Sequence, residues 1–319
     1  MKGGSKSMQY QLNARKRSKL KHIVRNPFLY AMAVPGLLFF LVFSYFPIYG
    51  IMIAFKDYNF AKGITGSEWV GFKNFNYFFT SDDFWVILRN TLMLNMLFIL
   101  FTTAAAVLIA LMFNEIRNKY FKRISQSLIF LPYFMSWIVV GMIVQSLFGG
   151  EEPMINTWLQ NFGLEPVNWM FESKLWPFIL TVIRVWQGAG YLSIIFLAAI
   201  TGISEDLYEA ARIDGASKLQ IVLRITLPLL VPTVMIMTLL AVGKIFNGDF
   251  AMIYAIIGDN SLLYPTTDVI DTFVFRSMRQ LHDFGMSSAV GLFQSVMGLI
   301  FVIAANWVTR RVSKESALF

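Results

Sequence analysis

Residues 204–228 read SEDLYEAARIDGASKLQIVLRITLP and stand between two long apolar runs of the chain. Ser204, followed by two acidic residues, predicts the start of a helix, because a serine side chain caps free N–H groups and carboxylates complement the helix dipole. Gly215 predicts the end of that helix, since glycine readily adopts the left-handed backbone conformation. A second helix then begins and continues past the final proline into the next apolar run. The stretch therefore predicts a polar pair of helices at one face of a membrane.

The composition of the 319 residues indicates a protein of the lipid bilayer. Hydrophobic residues make up 56% of the sequence and charged residues 14%, whereas soluble proteins have about 45–50% and about 25%. Six apolar runs reach the ~20 residues that a membrane-spanning helix needs, which predicts an all-α transmembrane protein with six spans. The runs lie at about 28–55, 86–113, 127–148, 175–200, 229–257 and 286–308. Aromatic residues predicted at the outer membrane interface are Trp158, Trp169 and Trp176.

The basic residues are distributed unequally between the two sides of the predicted membrane domain. Eighteen of the 27 Lys and Arg residues lie in the segments 1–26, 114–126, 201–228 and 309–319, and 13 of the 19 acidic residues lie outside these segments. Because basic loops stay in the cytoplasm, both termini are predicted to be cytoplasmic. We therefore predict a basic cytoplasmic segment at 1–26, a transmembrane domain at 27–308 and a cytoplasmic tail at 309–319. The basic surplus indicates contact with membrane lipid and no binding of nucleic acid.

The first helix predicted within 201–228 carries a shallow face and a spaced motif. Leu207, Ala210 and Ala211 share one helical face, and the two alanines leave it shallow enough to sit in a groove of a partner. The motif consists of Glu209-Ala210-Ala211, then Gly215 after three residues, Ile225 after nine, and Leu227-Pro228 after one. This pattern resembles the EAA loop of binding-protein-dependent ABC importer permeases. The resemblance implies that coupling to an ATPase subunit involves Leu207, Glu209, Ala210, Ala211, Asp214 and Gly215.

Other segments resemble the carbohydrate branch of the same family. They are 69–75 (WVGFKNF), 131–137 (LPYFMSW), 269–276 (VIDTFVFR) and 284–295 (FGMSSAVGLFQS). The resemblance implies a six-helix type I ABC importer permease in the cell membrane that transports oligosaccharides or other sugars. It also implies a second permease subunit in a heterodimer, two ATPase subunits and an extracytoplasmic sugar-binding protein. ATP and Mg are expected on the ATPase subunits, so this chain is expected to hold no cofactor or metal and to be no enzyme.

Polar residues inside the predicted fourth and fifth spans are the candidates for a substrate site. Ionisable groups near the bilayer centre are costly, so each one indicates a function or a partner. The fourth-span candidates share one helical face and are Arg184, Gln187, Gly188 and Tyr191. The fifth-span candidates stand beside two glycines that permit a bend, and they are Lys244, Asn247 and Asp249. A sugar needs donors and acceptors for its hydroxyls and an aromatic ring for its C–H face. The resemblance implies that positions at these distances from the EAA loop contribute to a sugar site in the middle of the membrane.

Other interpretations stay open at this point. In one, Arg184 pairs with Asp249 or with an acidic residue of a partner and only holds the helix bundle together. In another, Arg184, Lys244 and Asp249 form the ion relay of an ion-coupled secondary transporter. In a third, the chain is an ABC permease for a solute other than a sugar. A membrane-embedded enzyme is disfavoured, because the chain has no cysteine and two histidines and its spans lack paired acids.

Overall fold

The computed structural model describes residues 27–312, so the predicted basic segment 1–26 and residues 313–319 of the predicted tail lie outside the described part. Within it, five helices are long and apolar enough to cross a membrane, and a sharply bent pair makes a sixth crossing if it counts as one span. These segments are Ala31–Phe55, Asp83–Glu115, Lys119–Phe134 with Trp137–Phe148, Ser173–Thr201, Lys218–Val242 and Phe284–Arg311. The predicted all-α transmembrane fold is confirmed.

Shorter helices and one small sheet connect the long helices. The α-helices of the described part are α1 (Pro27–Phe40), α2 (Gly63–Gly66), α3 (Lys73–Phe79), α4 (Asp83–Glu115), α5 (Lys119–Phe130), α6 (Trp137–Phe148), α7 (Met154–Asn161), α8 (Trp176–Thr201), α9 (Glu205–Ile213), α10 (Lys218–Ile221), α11 (Leu227–Val242), α12 (Phe250–Ile257), α13 (Tyr264–Thr267), α14 (Ile270–Gln280) and α15 (Phe284–Val312). Tighter or wider helical turns are Leu41–Tyr45 and Phe46–Phe55 after α1, Leu131–Phe134 after α5, Ser173–Leu175 before α8, Val222–Thr226 between α10 and α11, and Ser261–Leu263 before α13. Strands β1 (Lys56–Asp57) and β2 (Glu68–Trp69) pair antiparallel after the first span.

The core lies where α4, α6, α8 and α12 pack together. α4 and α8 run along each other, and small residues at Ala106, Ala110 and Ala189 let the two helices approach closely. Near the start of α8, Trp176 is fully buried, and its Nε1 donates to the Trp169 carbonyl oxygen at 2.8 Å. Both indole rings pack against this core, and their location at the membrane interface stays a prediction.

The third span is bent. The helix axis turns by 94° between α5 with its terminal turn and α6. Pro132 lies inside that terminal turn, and Ser136 caps α6, since its Oγ accepts from the Val139 N–H at 3.4 Å. A proline removes a backbone donor, and a serine cap favours the start of a new helix, which explains the break. As a result, the end of α5 comes to lie against the middle of α8.

The fifth span ends earlier than predicted. The apolar run 229–257 predicts one long helix, but α11 and α12 are separate helices joined by residues 243–249, which we call the central break. A β-carbon at Gly248 would lie 2.8 Å from Val269 Cβ, so a larger residue does not fit there. The bend expected beside the glycines is present, and it is sharp enough to end the helix.

The helix α12 runs back along the first half of α8. Asp249, just before α12, contacts Arg184 in the middle of α8. Asn260, just beyond α12, donates from Nδ2 to the carbonyl oxygen of Met170 at 3.0 Å, and Met170 precedes α8. The two helices are therefore antiparallel, and α12 leads away from the middle of α8 toward its N-terminal end.

Candidate functional site

Four of the predicted residues meet at the middle of α8, and we call Arg184, Gln187, Tyr191 and Asp249 the central site. Arg184 Nη1 lies 3.4 Å from Asp249 Oδ2 and donates to Gln187 Oε1 at 3.3 Å. The side chains of Arg184 and Asp249 are 34% and 25% exposed, so the ion pair is only partly covered by the rest of the chain. The ion pair considered as an alternative interpretation of the sequence is therefore present in the structure.

A stack of aromatic rings forms one wall of the central site. The rings of Tyr191 and Tyr133 have centroids 4.3 Å apart and an interplanar angle of 9°, and both are about 40% exposed. Phe130 lies 5.8 Å from Tyr133 and 6.0 Å from Tyr191. Gln187 Nε2 donates to the Tyr133 carbonyl oxygen at 3.4 Å, which ties the bent span to α8. Helical spacing gives no signal for Tyr133 and Phe130, because the bend of the third span brings them to α8.

Gly190 and Gly188 of α8 differ in how much space the neighbouring helices leave for a side chain. A β-carbon at Gly190 would lie 2.8 Å from the carbonyl carbon of Ile129 and closer still to its oxygen. A β-carbon at the predicted site residue Gly188 would lie 3.5 Å from Thr102 Cγ2, which is an ordinary van der Waals distance. The close approach of α5 to α8 therefore requires glycine at position 190 and not at position 188.

The remaining predicted residues lie in the central break, where one is bonded and two have side chains free of bonds within the described residues. Asp249 caps α12 with its second oxygen, since Oδ1 accepts from the Met252 N–H at 3.4 Å. Lys244 and Asn247 are exposed, and their side chains form no hydrogen bond or ion pair with other residues of the described part. The break thus brings Asp249 into the central site and leaves the side chains of Lys244 and Asn247 available to a ligand.

A carboxylate from α14 holds the central break in place. Asp271 Oδ2 accepts from the Gly248 N–H at 2.5 Å and from Gln294 Nε2 at 2.9 Å, and Gln294 Nε2 also donates to the Phe246 carbonyl oxygen at 2.7 Å. From the other side, Asn95 of α4 donates to two carbonyl oxygens of the break at 3.0 and 3.1 Å. Burial raises the pKa of the Asp271 carboxyl above its usual range, against the two hydrogen bonds, which lower it. These side chains satisfy backbone groups that the interrupted helix leaves free, as the interior of a membrane requires.

The central site combines hydrogen-bonding groups of both kinds with an aromatic surface. The guanidinium of Arg184 and the amide of Gln187 donate hydrogen bonds, and the carboxylate of Asp249 accepts them. The exposed face of the tyrosine stack is apolar. This combination suits a molecule with many hydroxyl groups and C–H faces.

The EAA hairpin, residues 204–228, folds as predicted with one difference at its start. α9 and α10 form its two helices, and Gly215 between them has a φ of +77°, in the left-handed region. Ser204 stands before α9, but its Oγ lies 3.2 Å from Asp206 Oδ2 and makes no capping bond. The predicted serine cap is therefore wrong, because the nearby carboxylate binds the hydroxyl. A capping bond is instead made by Ser217 at the start of α10.

The predicted coupling face of α9 lies on the surface. Ala211 is half-buried. The exposed members of the predicted set are Leu207, Glu209, Ala210, Asp214 and Gly215. The face is therefore open to a partner.

Polar contacts attach the EAA hairpin to the spans behind it. The hydroxyls of Tyr208 and Thr226 share a hydrogen bond of 3.2 Å, and Thr226 is buried. Lys218 Nζ lies 3.0 Å from Glu115 Oε2 at the end of α4. A cleft of about 630 Å³ lies between the hairpin and the ends of α4 and α8. These contacts join α9 to the helix that follows it, and α10 to the end of α4.

Comparison with known proteins assigns the family. Residues 102–314 match the family described as "Binding-protein-dependent transport system inner membrane component". The polygalacturonan/rhamnogalacturonan transport system permease protein YteP of Bacillus subtilis (strain 168) is 35% identical over 96% of this chain and 94% of its own length.

Two solved structures are similar over nearly the whole chain. In a bacterial ABC transporter involved in the import of the acidic polysaccharide alginate, one chain matches with a TM-score of 0.85 and 33% identity, over 93% of this chain and 99% of that one. In a bacterial alginate ABC transporter in complex with alginate pentasaccharide-bound periplasmic protein, the TM-score is 0.84 with 34% identity, over 92% and 98%. The protein is therefore a multi-pass membrane protein with the type I permease fold, and it belongs to the family of binding-protein-dependent transport system inner membrane components.

Proposed function

We propose that this chain is the transmembrane permease subunit of an ATP-driven ABC importer for oligosaccharides. The observation that carries the proposal is the central site, where the stacked rings of Tyr191 and Tyr133 adjoin charged and amide groups from α8 and the central break. In this proposal the rings cover C–H faces of the sugar while the polar groups bind its hydroxyls. Support also comes from the similarity to the polygalacturonan/rhamnogalacturonan permease YteP and to the alginate transporter.

Among sugars, we propose oligosaccharides that carry carboxylates. Lys244 stands in the same break as Asp249 without a partner among the described residues. Arg184 lies 3.3 and 3.4 Å from its two acceptors, which is longer than the about 2.7–2.9 Å of a good charge-assisted bond. Both cations are thus available to a carboxylate. Alginate is an acidic polysaccharide and polygalacturonan is a polymer of a uronic acid, which agrees with this choice.

We propose that the EAA hairpin and both chain termini face the cytoplasm, as the distribution of basic residues indicates. There the exposed face of α9, with Glu209 and Gly215, contacts an ATPase subunit. Closure of the ATPase dimer on ATP moves α9, and the spans then alternate between inward-facing and outward-facing states. ATP and Mg bind to the ATPase subunits, and this chain carries out no hydrolysis.

The proposed complex contains four further subunits. They are a second permease that forms a heterodimer with this chain, two ATPases and an extracytoplasmic sugar-binding protein. The pentasaccharide-bound periplasmic protein in the similar alginate complex supports the last of these. Residues at the central site that are exposed on the isolated chain then face a cavity between the two permeases.

Uptake by the complete complex, reconstituted in vesicles with its binding protein, tests the proposal. The solutes tested are oligomers of galacturonate, alginate, arabinose and glucose, and an amino acid. Vesicles without the ATPase subunits serve as the control. We expect ATP-dependent uptake of saccharides, with the acidic ones fastest. Uptake of the amino acid alone would identify a permease for another solute, and uptake that needs an ion gradient but no ATPase would identify a secondary transporter.

Tyr191→Leu tests the role of the ring, with Phe178→Leu as the matched control. Phe178 lies on the same helix, is 72% exposed and takes no part in the central site. We expect Tyr191→Leu to lower saccharide uptake per assembled complex about tenfold, because groups left unpaired on the sugar and lost ring contact cost about 1–3 kcal/mol. The control is expected to transport normally. If the ring serves packing alone, yield falls instead while uptake per assembled complex stays unchanged.

A further inference from the structure

A second aromatic wall stands beside the central site, on α12 and α14. The rings of Phe250 and Tyr254 are stacked, with centroids 5.3 Å apart and an interplanar angle of 12°. Phe275 of α14 lies 4.8 Å from Phe250 and 5.0 Å from Tyr254. All three rings are only partly buried, so part of each ring is left uncovered by the rest of the chain. A wall of three rings is a surface on which the C–H face of a sugar can lie.

Charged groups border this wall. Arg279 Nη1 donates to Tyr254 Oη at 2.5 Å and lies 3.8 Å from Asp259 Oδ2. The two charged side chains are 56% and 55% exposed. Since a guanidinium has five N–H donors, Arg279 keeps donors that no hydrogen bond within the described residues uses. Arg279 therefore offers donors, and Asp259 an acceptor, at the edge of the rings.

The position of the wall continues the central site along one helix. α12 begins directly after Asp249, and Tyr254 stands five residues further, about 7 Å along the helix axis at 1.5 Å per residue. The opposite face of α12 packs in the core. Its buried residues are Met252, Ile253, Ile256 and Ile257. The rings of Phe250 and Tyr254 thus lie outside that core, and a chain of sugar rings that leaves the central site along α12 meets them next.

We propose that Phe250, Tyr254, Phe275 and Arg279 form a second saccharide subsite, which binds a further sugar ring of the oligosaccharide held at the central site. The proposal rests on the proposed function. The three rings contact the C–H face of the second sugar, and Arg279 donates to oxygen atoms on its edge. The subsite makes the permease favour longer oligosaccharides, because a short one fills the central site alone.

The test uses the complete reconstituted complex and galacturonate oligomers of two and four rings, with malto-oligomers of the same lengths as neutral probes. The variants are Arg279→Gln and Phe275→Leu, and Lys174→Gln removes an exposed charge elsewhere as the control. Uptake is measured at saturating loaded binding protein. We expect Arg279→Gln to lower uptake of the four-ring oligomers about tenfold, with two-ring uptake within about twofold of wild type. Arg279 is exposed, so this variant keeps the test usable if Phe275→Leu does not fold.

Three results would overturn the subsite. The first is an equal loss for both lengths, which indicates a general defect. The second is unchanged uptake of the four-ring oligomers. The third is loss of ATPase stimulation by the binding protein in Arg279→Gln, which assigns this surface to assembly. If the wild-type complex imports no saccharide of either series, the proposed function fails first and the subsite with it.

Discussion

Replacement of Gly190 by alanine tests how closely the bent third span approaches α8. Helix propensity alone favours alanine over glycine by about 1 kcal/mol, so any destabilisation has to come from the contact. The new β-carbon would lie 2.8 Å from the carbonyl carbon of Ile129 and closer still to its oxygen. Backbone atoms give way only if the end of α5 moves, and overpacking of this kind costs about 1–3 kcal/mol. After the gain in propensity we expect a net loss of up to about 2 kcal/mol.

Thermal unfolding of the purified protein in detergent measures this loss. At about 2–4 °C per kcal/mol, the midpoint of Gly190→Ala should fall by up to about 8 °C. Gly188→Ala is the matched control two residues away, where the added methyl group meets only Thr102 at 3.5 Å. The control should be neutral or slightly stabilising. An unfolding midpoint of Gly190→Ala at or above that of the control would refute the close contact between the two helices.

The other predictions concern the EAA hairpin, the central break and the ion pair. We expect Glu209→Lys and Gly215→Val to abolish uptake while normal amounts of protein are inserted into the membrane. The lysine reverses the charge of an exposed group, and the valine strains a backbone with φ of +77°. Wild-type uptake by both variants would contradict this. Asp271→Ala should lower the unfolding midpoint, since two donors lose their acceptor at about 1–3 kcal/mol, and Asp271→Asn should restore part of it. Arg184→Gln and Asp249→Asn should each reduce the yield of folded protein, and the double variant should recover part of it. If the loss of yield in the double variant equals the sum of the two single losses, the two side chains do not pair directly.

The spans and the EAA hairpin were predictable because their signals are local. An apolar run of spanning length reports lipid contact, and the polar hairpin stands out between two such runs. The positive φ of Gly215 was predictable for the same reason, since the end of a helix creates the need for that conformation. Ser204 shows the limit of such local rules. Its hydroxyl has two possible partners within three residues, and the sequence does not rank the carboxylate above the backbone.

The central site was predictable only in part. Helical spacing places Arg184, Gln187 and Tyr191 on one face of α8, and the structure has them there. Spacing does not reveal Tyr133, because the approach of that ring depends on a 94° bend in another span. Hydropathy also did not separate α11 from α12, since residues on both sides of the central break are apolar. The carboxylate of Asp271, which pairs with the break, comes from a segment far along the chain and leaves no periodic signal.

The two irregular segments of the membrane domain meet at the same turn of α8. The turn just before the bend of the third span brings the Tyr133 carbonyl oxygen to Gln187, and the central break ends at Asp249, which pairs with Arg184. Irregular backbone at membrane depth is tolerated where it lies inside the protein or lines a cavity. The sugar-binding and packing interpretations of Arg184 are therefore compatible, because its side chain pairs with Asp249 of the break and is still 34% exposed.

This arrangement gives the EAA hairpin a direct connection to the central site. The helix Lys218–Val242 begins within the hairpin and ends at the central break, and its 25 residues span about 38 Å. The hydrogen bond between Tyr208 and Thr226 fastens α9 to this helix near its start. If α9 moves with an ATPase subunit, the far end of the same helix moves the central break against α8. The ion pair between Arg184 and Asp249 would then be the contact that this movement strains, so in the proposed function the coupling movement and the release of the sugar act on the same residues.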